Sequence, residues 1–245
     1  MMDAYTHLDM SVQHPMAALE RCMDEAAIDR ALVVETWNGD NRPCLDRLIA
    51  SPSSRFRVAL CFRPAGQSFG AAILKQKAVG GIRVRTVDLH AFRPFAGALE
   101  SSQKWLIPHA EAGIGRLTTE LLDLIREFPR LRVFLPHMGW PRRDERNDED
   151  WYESVSRLGA LSNVVAGISA IPHFSRTPFP HEDIKPYAIR LREVFGPDSL
   201  FAASDYPLLE AGKYVNYMNL AIEWIGPKID ECGLLESALF EDSPS

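Results

Sequence analysis

The chain has 245 residues, of which 46% are hydrophobic and 24% charged, the composition of an ordinary globular protein. The formal net charge of -6 and the sequence pI near 5.7 argue against a nucleic-acid or anionic-membrane partner, since both repel an acidic surface. Four widely spaced cysteines, with no CxxC pair or Cys/His cluster, exclude a zinc ribbon and a thioredoxin-like redox motif.

Eight short apolar runs, rich in Val, Ile, Leu and Phe, alternate along the chain with stretches of helical spacing. The runs cover residues 2–7, 30–36, 56–62, 81–85, 105–109, 132–137, 163–169 and 200–204. Among the intervening stretches, residues 117–128 and 183–195 carry apolar stripes that end at a proline or a glycine. This alternation predicts an α/β fold, a single (β/α)8 TIM barrel that forms one domain over residues 1–245.

Two longer irregular stretches, residues 141–150 and 172–186, follow the sixth and seventh predicted strands. In a TIM barrel the loops after the strands surround the active site. We therefore expect these two stretches to cover a bound substrate.

Polar side chains stand at the carboxyl ends of four predicted strands, namely His7, His109, His137 and Asp205. Since the carboxyl ends of all strands meet at one rim of a barrel, we expect these residues to share a pocket. Three histidines and a carboxylate can bind a divalent ion, which activates a bound water molecule. In such a site Asp205 is the candidate general base.

Side chains two residues apart on a strand point to the same face. On this rule the first strand directs Asp3, Tyr5 and His7 into the barrel. The sixth strand directs the odd-numbered residues 133–137 inward, with His137 at the top. Each polar candidate would then lie above a column of inward-facing side chains.

The fourth predicted strand carries two arginines. Its apolar residues Ile82 and Val84 should meet the helices, which leaves Arg83 and Arg85 to face the barrel interior. Arg85, at the rim, is expected to anchor a substrate carboxylate by bidentate pairing. Arg83 lies lower and either joins Arg85 in substrate binding or forms a buried ion pair. Trp140, after the sixth strand, is either a wall of the substrate pocket or a packing residue.

These segments resemble the amidohydrolase superfamily, in the amidohydrolase-2 branch of aminocarboxymuconate semialdehyde decarboxylases and 2-pyrone-4,6-dicarboxylate hydrolases. Residues 2–8, MDAYTHL, are similar to the family's first strand, Asp-x-His-x-His, and residues 80–85, GGIRVR, to its fourth. Residues 106–109, LIPH, fall where the fifth strand supplies a metal-binding histidine. Residues 204–207, SDYP, resemble the eighth strand and its catalytic aspartate. The most specific match is VFLPHMGWP at residues 133–141.

The resemblance implies one divalent metal ion, zinc, bound by His7, His109 and Asp205, while His137 orients water or the substrate carbonyl. The family's first-strand pair is His-x-His, whereas this chain has Tyr5-x-His7, so one imidazole ligand is missing. Two alternatives stay open. Three protein ligands and water still make a catalytic zinc site. Without metal, Asp205 activates water directly, and the histidines together with Tyr5 contact the substrate and stabilise the developing oxyanion.

The resemblance favours a hydrolase that opens a small carboxylated lactone, cyclic ester or amide with activated water. Two alternatives are a nonoxidative decarboxylase of a small unsaturated acid and a catalytically degenerate barrel that binds a small acid. The expected partner is a small carboxylated molecule rather than nucleic acid or a membrane, which leaves room for a homo-oligomer. Because neither a signal-peptide pattern nor an apolar run of membrane-spanning length occurs in the sequence, we expect a cytoplasmic protein.

Overall fold

Eight parallel strands pair in chain order, from β1 with β2 to β7 with β8. The computed structural model describes residues 1–64, 71–111, 113–141, 148–207, 213–226, 235 and 239–240. The strands are mostly apolar and buried, as expected for parallel strands that are covered on both faces. They are β1 Met2–Thr6, β2 Arg30–Val34, β3 Phe56–Cys61, β4 Val79–Arg85, β5 Trp105–His109, β6 Arg132–Leu135, β7 Val164–Ile168 and β8 Leu200–Ala202.

Helices connect each strand to the next, because two parallel neighbours can be joined only by a crossover. They are α1 Pro15–Glu25, α2 Arg42–Ala50, α3 Ala71–Leu74, α4 Leu89–Ser101, α5 Ile114–Glu127, α6 Asp148–Gly159, α7 Ile171–Phe174, α8 Lys185–Phe195 and α9 Tyr214–Ile225. Single 3-10 turns span Thr86–Asp88, His137–Gly139 and Pro197–Ser199. The predicted (β/α)8 TIM barrel is confirmed, and all eight predicted strands are present.

Two separate apolar clusters fill the protein. The larger one lies between the sheet and the helices and includes Leu19 of α1, Leu121 of α5 and Ile82 of β4. The smaller one draws its strand residues from β1, β2, β3, β5, β6, β7 and β8 and therefore fills the barrel interior. Since Ile82 packs outside, its neighbour Arg83 faces inward, as predicted.

The first strand departs from strict alternation. The ladder between β1 and β2 shifts register between Asp3 and Thr6, and Ala4 and Tyr5 both pack in the interior cluster. Asp3 does not share the interior face with Tyr5. Its carboxylate instead reaches Tyr214 of α9, on the helix side of the sheet. The predicted inward orientation of Asp3 is wrong, because the irregularity adds a residue to one face.

The sixth strand has the opposite phase from the predicted one. Val133 and Leu135 pack in the outer cluster, whereas Phe134 lies in the barrel interior. His137 nevertheless reaches the interior rim, because the chain leaves the strand after Leu135 and His137 takes a left-handed backbone with φ of 55°. The placement of His137 therefore comes from the turn and not from the strand.

The two segments expected to cover a substrate follow β6 and β7. Of the first, residues 142–147 lie outside the described part of the chain. The second begins with α7 and is tied to Asp183, whose carboxylate accepts hydrogen bonds from Ser175 Oγ at 2.6 Å and Thr177 Oγ1 at 2.7 Å. Phe174 of α7 packs against the ring of Trp140, so this segment touches the barrel mouth.

Among the described residues, no helix combines the length and the apolar character that a membrane span requires.

A buried carboxylate closes the ring between β8 and β1. Asp3 Oδ1 accepts the backbone N–H groups of Ser204 at 2.9 Å and Tyr5 at 3.3 Å. Asp3 Oδ2 accepts the hydroxyls of Ser204 at 2.6 Å and Tyr214 at 2.7 Å. Burial nevertheless outweighs these hydrogen bonds and raises the pKa of Asp3 to about 6. At this junction of β8 with β1, which we call the seam, the ionised form of Asp3 therefore carries an electrostatic cost.

We predict that this cost appears as a pH-dependent stability. The folded protein binds the Asp3 proton more tightly than the unfolded chain, whose pKa is near 3.8. Protonation of Asp3 therefore contributes to the free energy of unfolding. This contribution is fully present below about pH 4 and is lost as the pH rises through about 6, a change on the order of 3 kcal/mol. Urea unfolding at pH 4, 5 and 6 should show the wild type losing stability relative to Asp3→Asn. The free energy of unfolding of the wild type minus that of Asp3→Asn should fall between pH 4 and 6. A constant or rising value would contradict the assignment.

Candidate active site

The side chains of His7, His137 and Asp205 lie side by side at the carboxyl-end rim of the barrel, and all three are buried. The two carboxyl oxygens of Asp205 face the two imidazoles. Oδ1 lies 3.8 Å from His7 Nε2, and Oδ2 lies 3.9 Å from His137 Nδ1. Residues about two hundred positions apart share one site because the ring brings β8 back to β1.

Burial controls the protonation of this cluster. It raises the pKa of Asp205 to about 8, although the positive charge of Arg83 acts in the opposite direction. Burial and the Arg83 charge lower the pKa of His7 to about 3 and hold the pKa of His137 well below its ordinary value. At neutral pH the two imidazoles are therefore uncharged, and the Asp205 carboxyl is largely protonated.

Hydrogen bonds fix the rings of both histidines. The Val34 carbonyl oxygen lies 2.7 Å from His7 Nδ1, so Nδ1 carries the hydrogen and Nε2 presents its lone pair towards Asp205. Ser169 Oγ accepts the backbone N–H of His137 at 3.1 Å and lies 2.9 Å from His137 Nδ1. Ser169 thereby orients the imidazole beside the carboxyl group.

The Arg83 guanidinium is built into the barrel wall among these groups and is only 5% exposed. Nη1 donates to the backbone oxygen of Glu35 at 3.2 Å, and Nη2 donates to His109 Nδ1 at 3.1 Å. The cation also lies 5.6 Å from the ring centroid of Tyr5 and 4.5 Å from that of Trp37. Arg83 thus places a permanent, nearly dry positive charge inside the site.

His109 is oriented by this arginine. A guanidinium only donates hydrogen bonds, so His109 Nδ1 is the acceptor and the neutral ring carries its hydrogen on Nε2. That nitrogen lies 3.6 Å from the exposed carboxylate of Glu111. Burial and the charges of Arg83 and Arg85 lower the pKa of His109 to about 3. The His109 lone pair is therefore taken up by Arg83.

Two indole rings form walls of the site. The Trp37 ring lies 5.2 Å from that of His109, and the Trp140 ring lies 4.8 Å from His109 and 5.1 Å from His137. Arg85, exposed at the end of β4, places its guanidinium 4.5 Å from the Trp37 ring. The guanidinium groups of Arg83 and Arg85 thus both pack against the Trp37 ring, and the Trp140 ring contacts His109 and His137.

Buried hydrogen-bond donors in this part of the described structure lack a protein partner. They are Tyr5 Oη, Arg83 Nε, Trp37 Nε1 and Trp140 Nε1. Burial raises the pKa of the Tyr5 hydroxyl, which keeps its hydrogen at physiological pH. A surplus of donors around a fixed cation suits a ligand that brings acceptor oxygens, such as a carbonyl or a carboxylate.

A cavity of about 600 Å³ opens beside the site. His7, Trp37 and Arg83 line it together with Asp9 and Asp40. This volume is in the range of small-molecule binding pockets. Of the buried cluster, His7 and Arg83 line this cavity, whereas Asp205 and His137 lie behind its lining residues.

The donor set does not fit the implied zinc ion. No three His, Cys, Asp or Glu side chains of the described residues are grouped closely enough to hold a metal ion. His7 and Asp205 face each other, but the third expected ligand, His109, is hydrogen-bonded to a guanidinium. The positive charge of Arg83, 3.1 Å from His109 Nδ1, would repel a divalent cation bound beside this histidine.

The structure brings together the predicted site residues, from Tyr5 on β1 and His7 just after it to Asp205 after β8. Sequence reasoning missed the roles of Ser169 and Asp3 in holding this cluster. Ser169 directly follows β7, so the strand-end rule that identified the histidines would also have selected it. Nothing in the local sequence indicates that Asp3 contacts Ser204.

Residues 5–217 match the family model Amidohydro_2, which is described as amidohydrolase. The chain belongs to this amidohydrolase family. A curated relative, L-fucono-1,5-lactonase of Burkholderia ambifaria, is 31% identical over 101 residues. That match covers 40% of this chain and 34% of the lactonase, so it spans about a third of the relative's length.

Solved structures share the fold at low sequence identity. An amidohydrolase from Burkholderia multivorans with bound zinc is 16% identical, has a TM-score of 0.73, and aligns over 98% of this chain and 95% of its own. A probable 2-pyrone-4,6-dicarboxylic acid hydrolase from Acinetobacter baumannii, with citric acid bound, is also 16% identical with a TM-score of 0.73 over 97% and 94%. A 2,6-dihydroxybenzoate decarboxylase is 13% identical, with a TM-score of 0.59 over 98% of both chains.

We predict that zinc affinity is limited by Arg83 as well as by Tyr5. Tyr5→His restores the missing imidazole, but the guanidinium still occupies His109 Nδ1. Adding Arg83→Met should raise zinc affinity at least about tenfold over Tyr5→His alone, since one ligand is freed and one like charge removed. Isothermal titration with zinc measures this.

The matched control combines Tyr5→His with Arg85→Met, which removes an equal charge that does not hydrogen-bond His109 among the described contacts. Circular dichroism checks that each variant is folded. Equal zinc affinity in Tyr5→His and in both double variants would show that Arg83 does not restrict the site.

Proposed function

We propose that this protein hydrolyses a small carboxylated lactone or related cyclic ester, with Asp205 as the general base. The observation that carries the proposal is the position of the Asp205 carboxyl between His7 and His137, beside a fixed guanidinium and a substrate-sized cavity. This arrangement offers a base, an electrostatic stabiliser and a binding space in one place. The partial match to a lactonase supports the same substrate chemistry.

The reaction adds one water molecule across the ring C–O bond. The ionised form of Asp205, which is the minor form at neutral pH and grows as the pH rises towards 8, takes a proton from water. The resulting hydroxide attacks the lactone carbonyl carbon. When the ring C–O bond breaks, the leaving alkoxide takes the proton back from Asp205. The products are a carboxylic acid and an alcohol in one open chain, and Asp205 returns to its ionised form.

Charge develops on the carbonyl oxygen during the attack. The partner-free donors Tyr5 Oη and Arg83 Nε are suited to stabilise it, because they are fixed in a dry environment before the reaction starts. The Arg83 cation also favours the ionised form of Asp205, against the burial that raises its pKa. One residue thus assists both the base and the oxyanion.

Zinc bound by His7, His109 and Asp205 stays a prediction from the family resemblance, supported by the zinc-containing amidohydrolase of the same fold. The contact between Arg83 and His109 favours the metal-free alternative instead. We therefore propose hydrolysis in which the guanidinium supplies the positive charge, and no step above requires a metal ion.

Decarboxylation and simple acid binding are the competing functions. Decarboxylases share this fold. A panel separates the three possibilities: L-fucono-1,5-lactone and 2-pyrone-4,6-dicarboxylate report ring opening by acid release, and 2,6-dihydroxybenzoate reports carbon dioxide release. Carbon dioxide without ring opening would reject the hydrolase, and binding of these compounds without turnover would indicate the degenerate barrel.

We predict that Asp205→Asn lowers kcat for the hydrolysed lactone at least about a thousandfold. The amide cannot accept the proton from water, while its size and its hydrogen-bonding geometry stay similar. Initial rates of acid release measure the effect. The control is Asp123→Asn, which removes an exposed carboxylate on α5 and should leave kcat unchanged. Turnover retained in Asp205→Asn would refute the assignment of the base.

We predict that Arg85→Ala raises KM for a carboxylated lactone by about tenfold or more, with a small effect on kcat. Arg85 is exposed at the rim and held against Trp37, where it can pair with a substrate carboxylate away from the reacting bond. Comparing 2-pyrone-4,6-dicarboxylate with an uncharged lactone measures this. The uncharged lactone should keep its KM. An equal effect on both substrates, or on neither, would remove the anchor role.

A further inference from the structure

The backbone of the proposed base is held in an uncommon conformation. Asp205 has a left-handed backbone, with φ of 54°. A residue other than glycine adopts this region at a cost of about 1 kcal/mol or more, so the surroundings must impose it. Residues 204–206 follow the short strand β8. The backbone ladder of β8 pairs it with β7, so the contacts of this segment with β1 must come from other hydrogen bonds.

Contacts with β1 hold this segment on both sides of Asp205. The Asp205 N–H donates to the backbone oxygen of Tyr5 at 2.9 Å, and the His7 N–H donates to the backbone oxygen of Tyr206 at 2.7 Å. Each bond joins β1 to the turn that carries the base. These two bonds set the height of Asp205 on the rim, and neither of them involves the preceding residue, Ser204.

Ser204 is held by Asp3, and its hydroxyl oxygen also lies 3.2 Å from Thr6 Oγ1 of β1. The Asp3 carboxylate accepts both the N–H and the hydroxyl of Ser204, the residue directly before Asp205. The same hydroxyl oxygen accepts the N–H of Tyr206, directly after Asp205, at 3.0 Å. Asp3 and Ser204 together therefore hold the residues on both sides of Asp205, an arrangement that we call the bracket. Tyr214 Oη, at 2.7 Å, anchors the carboxylate itself to α9.

We propose that Asp3 is a positioning residue for the catalytic base, acting through Ser204 to hold the Asp205 carboxyl between His7 and His137. The inference rests on the proposed function for its catalytic consequence, whereas the structural coupling stands without it. A carboxylate that only stabilised the fold would be a poor choice here, because burial makes its ionised form costly. Its strong acceptor oxygens are the ones that can bind four donors at once.

The test uses full-length variants that remove successive parts of the bracket. Ser204→Ala removes the hydroxyl that links Asp3 to Tyr206, and Tyr214→Phe removes only the outer anchor. Asp3→Asn leaves a single acceptor oxygen, so two of the four donors lose their acceptor. The control Thr118→Val removes a buried hydroxyl bond within α5, far along the chain from the seam. Thermal unfolding checks that each variant is folded.

Hydrogen exchange gives the first readout, independent of activity. The Asp205 and His7 amides should exchange at least about tenfold faster in Ser204→Ala and Asp3→Asn than in the wild type. Amides of β3 and β4 should keep their protection. Tyr214→Phe, the mildest change, should show a smaller increase at the same two positions. Unchanged exchange at the seam, or an equal increase across the barrel, would overturn the proposal.

Kinetics on the lactone of the panel that the wild type hydrolyses gives the second readout. Misplacing a base should lower kcat about tenfold to a hundredfold and leave KM within about twofold. A KM effect with unchanged kcat would overturn the positioning role. If exchange at the seam rises as expected but the wild type hydrolyses no lactone, the proposed function fails while the coupling between Asp3 and Asp205 stands.

Discussion

The position of the Arg83 guanidinium is the constraint on which the rest of the site depends. It is a permanent cation buried in the barrel wall, held by the Glu35 carbonyl and stacked on Trp37. In a nearly dry interior its charge is felt over the whole cluster, and it affects the pKa values of all three histidines and of Asp205. Every other polar group of the site must be compatible with that charge.

Compatibility with Arg83 explains the character of the site. The histidines are neutral, since burial and a neighbouring cation both disfavour protonation. His109 turns a lone pair to the guanidinium and so is lost as a metal ligand. Tyr5 adds a buried hydrogen-bond donor and no metal ligand. The site is thus rich in donors and positive charge, which suits acceptor oxygens on a substrate better than a metal cation.

Two buried carboxylates, Asp3 and Glu35, hold the segments next to Asp205 and Arg83. Asp3 holds the segment that carries Asp205, while Glu35 accepts Arg63 Nη1 at 2.6 Å and fixes the end of β2 that bonds Arg83. Neither carboxylate lines the cavity. The rim therefore combines a costly charged framework with neutral side chains, an arrangement that favours precise placement over stability.

The sequence alone determined the barrel, its strand order and the residues that gather at the rim, because strand periodicity and the closure of parallel βα units are local and topological properties. Only the tertiary structure decided that Asp3 faces the helices and which residues of β6 face inward, since a strand irregularity and a left-handed turn at His137 break the alternation that sequence reasoning uses. The hydrogen bond from Arg83 to His109 could not be predicted from the sequence either. It depends on which nitrogen faces which neighbour, and side-chain packing across strands sets that, not spacing along the chain.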